Sequence, residues 1–258
     1  MCISGSVGTQ GKNDAADVKI VQILLNANAE RFAGGRQLLV DGDFGPRTAA
    51  AMRAFQATVV GTVDSQVEPD HPSIECMVEG LQPELGRPHI QVIMAHSPVE
   101  LVDRYADLLP VQMELHAINS RLRCAHFLAQ IGHESGGFRY TEEIASGEAY
   151  EGRADLGNTE PGDGPRFKGR GLIQLTGRAN YRRYGAAIGV DVVSSDARDT
   201  LATDPLRAIH VACWFWVDHG LNRLADQDDL EGITRSINGG LNGLDDRRAY
   251  LRRAKSLL

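Results

Sequence analysis

Residues 122–143, LRCAHFLAQIGHESGGFRYTEE, constrain the fold more than any other part of the chain. Apolar residues at 122, 125, 127, 128, 129 and 131 form a stripe too wide for a surface helix, so the pattern predicts a largely buried helix over 122–132. Glu134 stands at its end, followed by Ser135, Gly136 and Gly137, and the glycine pair favours leaving the helix in a tight turn. Glu142 and Glu143 come next. Had the helix continued, nine residues at about 100° each would set Glu143 on the face opposite Glu134. A chain that reverses after Gly137 instead brings Glu143 back toward Glu134.

Two carboxyls facing each other across roughly 6.5–9.5 Å are the equipment of inverting glycoside hydrolysis. One must hold a proton for the leaving oxygen, and the other must be ionised to take a proton from water. Glu134, ending an apolar helix, is the candidate for desolvation and the acid role; Glu143, in a polar stretch beside Glu142, is the candidate base. The structural alternative is a solvated or helix-capping glutamate, and this stretch alone leaves it open.

Composition narrows the classes. With 258 residues, 42% hydrophobic and 24% charged, the chain suits one large or two modest globular domains. A net charge of −7 opposes a nucleic-acid partner, whose phosphates demand a basic footprint. The N-terminal residues lack the basic start and apolar run of a signal peptide, and no stretch approaches 18 apolar residues, so the expectation is synthesis in the cytoplasm without an export signal. Cys2, Cys76, Cys124 and Cys213 are widely spaced, and neither a disulfide framework nor a zinc site is suggested. His126 and His133 do not form an HExxH motif, so no metal or other cofactor is expected.

Taken in order, DVKIVQILLN at 17–26 reads as a short helix behind an Asp that can cap it. The Asp-Gly of LVDGDFG marks a tight turn, Pro46 opens a second helix ending near Gln56, and 73–81 supplies a third. DVKIVQILLN followed by LLVDGDFGPRTAAAMRAFQ resembles the small three-helix peptidoglycan-binding domain of cell-wall hydrolases. The resemblance implies such a domain over 1–83. Leu39, Val40, Phe44, Phe55 and Val59 read as its core, and the turn residues Asp41, Asp43 and Arg47 are the better candidates to meet a glycan. Two prolines and a glycine in 81–89 mark a linker, and a second domain is expected over 90–258.

In that second part, 145–167 is rich in Gly, Glu and Asp and reads as an irregular loop walling a cleft. In KGRGLIQLTGRANY, 168–181, Ile173 and Leu175 alternate with Gln174 and Thr176. This gives one apolar face and one face of hydrogen-bonding groups; the same spacing also fits a half-exposed strand with no ligand. LRAIHVACWFWV at 206–217 reads as a buried helix, with Trp214 and Trp216 as core. ITRSINGG ends a helix at an Asn-Gly-Gly turn. The basic amphipathic tail RRAYLRRAKSLL suits transient contact with an anionic envelope, although a solvated face is the commoner use of such a pattern.

Three stretches, AHFLAQIGHESGGF with Glu143, GRGLIQLTGRANY, and ITRSINGG followed by Arg247, resemble the family 19 glycoside hydrolases, closest to the lysozyme-like branch found in phage endolysins. The resemblance implies a mainly α fold: a three-helix wall-binding domain, then a lysozyme-like helical catalytic domain. It maps the general acid to Glu134, the general base to Glu143 with Glu142 as the adjacent alternative, and the water-positioning hydroxyl to Thr176. Gln174, Tyr181, Asn238 and Arg247 become substrate contacts. The plant chitinases of the family carry disulfides that this cysteine pattern does not match, which weakens chitin as the substrate. The expectation is therefore a monomeric endolysin that hydrolyses the β-1,4 glycan of peptidoglycan, as a muramidase, and leaves the host cytoplasm through a holin-type pore. A chitinase, or a secreted antibacterial toxin of the same chemistry, is the alternative.

Overall fold

Helix starts in this chain are written locally. Pro46, Pro72 and Pro205 stand in the first turn of their helices, where a missing N–H costs nothing. Side chains of Ser120, Asp204 and Asp229 accept from backbone N–H groups of Arg123, Leu206 and Gly232 at 3.2, 2.9 and 2.8 Å. The computed structural model describes residues 1–258 and is mainly helical. It divides into two compact units, one of Met1–Ala106 with Leu251–Leu258 and one of Asp107–Tyr250. The sequence expectation set the division at 83–90; in the structure the helices over 87–106 belong to the first unit.

In the first unit, α1 (Ala15–Ala27), α2 (Pro46–Phe55) and α3 (Pro72–Glu79) pack together, joined by α4 (Arg87–Ile93) and α5 (Val99–Ala106). Strands β1 (Val7–Gly8) and β2 (Gln66–Val67) form one short antiparallel pair. The buried Gln22 amide holds the Asp-Gly turn, donating to Asp41 Oδ1 at 2.8 Å and accepting from Gly42 N at 3.0 Å. Asp17 lies inside the first turn of α1 and caps no helix. Its carboxylate accepts from Ser4 N and Gly5 N at 2.9 and 2.7 Å and ties down the N-terminal segment. Phe55 is buried and Val40, Phe44 and Val59 pack partly buried against the core, but Leu39 is 74% exposed, because the turn points it outward.

The second unit carries α6 (Leu109–Leu115), α7 (Arg121–Glu134), α8 (Asp163–Arg166), α9 (Arg178–Ile188), α10 (Thr200–Thr203), α11 (Pro205–Asp218), α12 (Leu221–Asp226), α13 (Leu230–Asn238) and the start of α14 (Leu244–Lys255). Every residue of α7 from Cys124 through Gly132 is buried. Phe127 meets Trp216 of α11 edge to face, with ring centroids 5.4 Å apart. Residues 168–176 form a hairpin-like turn: single bridges join Glu142 to Arg170 and Arg170 to Leu175, and no strand forms. Leu172, Ile173 and Leu175 are all buried, so apolar burial here does not alternate strictly. No helix is long and apolar enough to cross a membrane.

Candidate active site

Glu134 is the last residue of α7, and the turn after it is built by its neighbours. Ser135 Oγ donates to Ile131 O at 2.6 Å and accepts from Phe138 N at 2.8 Å. Gly136, Gly137 and Phe138 all have positive φ, at 57°, 68° and 71°. Two of these are glycines, so the reversal is inexpensive there; Phe138 is held in the left-handed region by its burial. The returning segment then pairs with residues 169–171: Gly171 N donates to Thr141 O at 2.8 Å and Glu143 N to Gly169 O at 2.9 Å.

Glu134 does not sit in the purely apolar setting that the helix pattern suggests. The Arg247 guanidinium, 1% exposed, donates to Glu134 Oε1 and to Gln130 Oε1, while the Glu134 side chain is 16% exposed. A second pair stands one residue over on each element: His133 Nδ1 meets Asp246 Oδ2 at 2.7 Å. The pair closes over Gly243, where a Cβ would lie 2.1 Å from His133 Cε1. Residues 133–134 at the end of α7 and 246–247 in α14 are thus joined by two side-by-side polar contacts.

Glu143 has a different environment. Gly169 N donates to its Oε2 at 3.1 Å and the Tyr150 hydroxyl to its Oε1 at 3.0 Å. Glu142 instead meets Arg170 Nη2 at 3.1 Å and Lys168 Nζ at 3.4 Å, an ion-paired arrangement that distinguishes it from its neighbour. Burial, followed by the bond to Glu143, pushes the Tyr150 phenol above its ordinary range, so it stays a donor.

Gln174 and Glu143 both border Gly169: a Cβ there would meet Gln174 Oε1 at 2.8 Å and Glu143 Oε2 at 3.4 Å. The Gln174 backbone is left-handed, with φ of 56°. Thr176 follows, half-buried, with Oγ1 donating to Gln174 O at 2.9 Å. Tyr181 has another place than a sugar contact. It is fully buried, its hydroxyl donates to Lys168 O at 2.8 Å and accepts from Arg170 Nη1 at 3.2 Å, and burial pushes it up to about 12. The tyrosine supports the 168–170 segment from beneath. Arg247, also expected on substrate, is spent on Glu134 and Gln130 for the same reason of burial. Asn238 is exposed at the end of α13 and donates to Asn242 O at 3.1 Å, a carbonyl that Arg247 Nε also approaches at 3.4 Å.

Gln130 and Tyr150 were not singled out from the sequence. Gln130 precedes Glu134 by four residues, which places both on one helix face, so its signal was present. Tyr150 ends a short turn inside an irregular loop, where no periodicity marks it.

The mainly helical second unit has a lysozyme-like fold. Chitinase C from Streptomyces griseus has the same fold, with a TM-score of 0.56 at 19% identity over 68% of this chain and 94% of that one. Residues 118–241 match the glycoside hydrolase family 19 model, described as chitinase class I. A glycosyl hydrolase family 19 domain-containing protein of Haemophilus influenzae is 32% identical over 170 residues, 54% of this chain and 82% of its own length. Endochitinase EP3 of Arabidopsis thaliana is 37% identical over 127 residues, 48% of this chain and 44% of that protein. The chain thus spans most of the bacterial relative and less than half of the plant one. It belongs to glycoside hydrolase family 19 and is a glycoside hydrolase.

Proposed function

We propose that the chain hydrolyses the β-1,4 glycan of bacterial peptidoglycan with inversion, Glu134 acting as acid and Glu143 as base. The observation that supports the base role is the pair of donors on Glu143, Gly169 N on Oε2 and the Tyr150 hydroxyl on Oε1, which fix its carboxylate plane; the acid role of Glu134 is what the family resemblance implies. In one turnover Glu134 gives its proton to the glycosidic oxygen as the bond from that oxygen to the anomeric carbon breaks. Water adds to the opposite face of that carbon and loses a proton to Glu143. The Glu134 carboxylate left behind is met by Arg247, which neutralises it until a proton returns. Thr176 orients the water, and Gln174 and Asn238 are the sugar contacts with side chains at the surface of this region.

The resemblance of residues 10–80 to wall-binding modules supports peptidoglycan over chitin, since a tethered binder raises the local concentration of the catalytic unit at the wall. In this reading the enzyme is an endolysin, monomeric and metal-free, that reaches the wall through a holin-type pore, and the bond cut is on the muramic acid side. Chitin is the second reading, favoured by the endochitinase names of the plant relatives. Digestion of purified peptidoglycan and of chitin oligosaccharides by wild type, Glu134→Gln, Glu143→Gln and Glu142→Gln separates them. Muramic acid reducing ends from wild type and Glu142→Gln, absent with the other two variants, are expected. Turnover of chitin alone overturns the peptidoglycan reading, and full activity in Glu134→Gln or Glu143→Gln overturns the corresponding role.

A further inference from the structure

The loop over 144–167 is irregular in path yet held at every turn. Gly147, with φ of 85°, packs so closely that a Cβ there would lie 2.7 Å from Gly164 O. The Glu151 carboxylate accepts from Gly162 N and Gly164 N, both at 2.7 Å. Fully buried Asn158 donates to Tyr150 O at 2.9 Å and accepts from Arg178 N at 2.8 Å. Asp163 and Arg178 close the far end with a bidentate pair at 2.7 and 2.5 Å. These bonds converge on the segment that carries Tyr150, so the hydroxyl is set before any substrate arrives.

We propose that Tyr150 is a positioning residue for the base, fixing the plane of the Glu143 carboxylate through the 3.0 Å bond to Oε1. This rests on the assignment of Glu143 as base. With Oε2 taken by Gly169 N and Oε1 by the phenol, the carboxylate cannot rotate freely, and the remaining lone pairs are those offered to water. The other charged groups here act elsewhere. Lys168 Nζ bonds the Glu143 carbonyl at 3.1 Å and pairs with Glu142, Arg170 pairs with Glu142 and Asp199, and Arg153 pairs with Asp155.

The test is Tyr150→Phe in the full chain, which keeps the ring in its packing and deletes only the hydroxyl. On the glycan that wild type turns over, kcat falls roughly 5–20-fold with KM changed less than about twofold, because one hydrogen bond to a charged group is lost. In a Glu143→Gln background the same substitution changes the residual rate no further. A further loss on adding Tyr150→Phe to Glu143→Gln overturns the proposal, since that is the mark of simple structural damage. A raised KM at unchanged kcat overturns it in favour of a sugar contact. Glu143→Gln at the wild-type rate instead removes the base assignment itself, whatever Tyr150→Phe does.

Discussion

Replacing Arg247 by Met tests whether the guanidinium at the end of α7 is what anchors Glu134. Arg247 is almost wholly buried and donates to Gln130 Oε1 and Glu134 Oε1, with its Nε 3.4 Å from Asn242 O. Met conserves much of the stem volume but removes every donor. Deleting one partner of a fully buried ion pair costs about 3–5 kcal/mol, because the other charge is left without compensation. Glu134 keeps some contact with water, which recovers part of that, so we expect a loss of about 2–3 kcal/mol. For a unit of this size that lowers Tm by about 6–10 °C. Both tryptophans, Trp214 and Trp216, lie in α11 of the same unit, so urea unfolding followed by tryptophan fluorescence reads the right part of the chain. Adding Glu134→Gln to Arg247→Met removes the stranded charge and restores about 1 kcal/mol. A loss below about 1 kcal/mol, or strictly additive single effects, would refute the view that these two side chains form one unit.

Three further outcomes follow from the same geometry. Arg178 holds the Asp163 carboxyl below the usual carboxylate range, so the pair's contribution of about 2 kcal/mol is present above pH 4 and lost as pH falls through the lowered value. Asp163→Asn should accordingly unfold at lower urea than wild type at pH 7, with the difference shrinking as pH falls below the ordinary carboxylate range; a gap that stays constant as pH is lowered would contradict it. Gly243→Ala combines a φ of 72° with a Cβ 2.1 Å from the His133 ring, so it should cost about 2–3 kcal/mol and break the His133–Asp246 pair, read as a lost imidazole NMR shift perturbation. Burial holds the Cys2 and Cys124 thiols up at about 11 and pushes Cys213 higher still, whereas Cys76 is only half-buried. A thiol-disulfide exchange reagent at pH 8 should therefore titrate one thiol quickly and three slowly, and loss of the fast phase in Cys76→Ser identifies it.

Local pattern made much of the fold legible. The apolar stripe of 122–132, the prolines opening α2, α3 and α11, and the glycines after Glu134 are each effects of a few neighbouring residues on backbone dihedrals and burial, and a linear sequence records them directly. It was enough to give a mainly helical chain and a helix that ends at Glu134. Tertiary structure decided what each polar side chain touches. Arg247 reaches Glu134 across 113 positions, and Tyr181 is drawn under the 168–170 segment with its hydroxyl already engaged. Gln174 turns into the left-handed region, and the helices over 87–106 join the first unit. None of these is encoded by a repeat of two or of 3.6 residues. They depend on which distant surfaces pack together, and a buried donor takes the nearest acceptor that packing supplies.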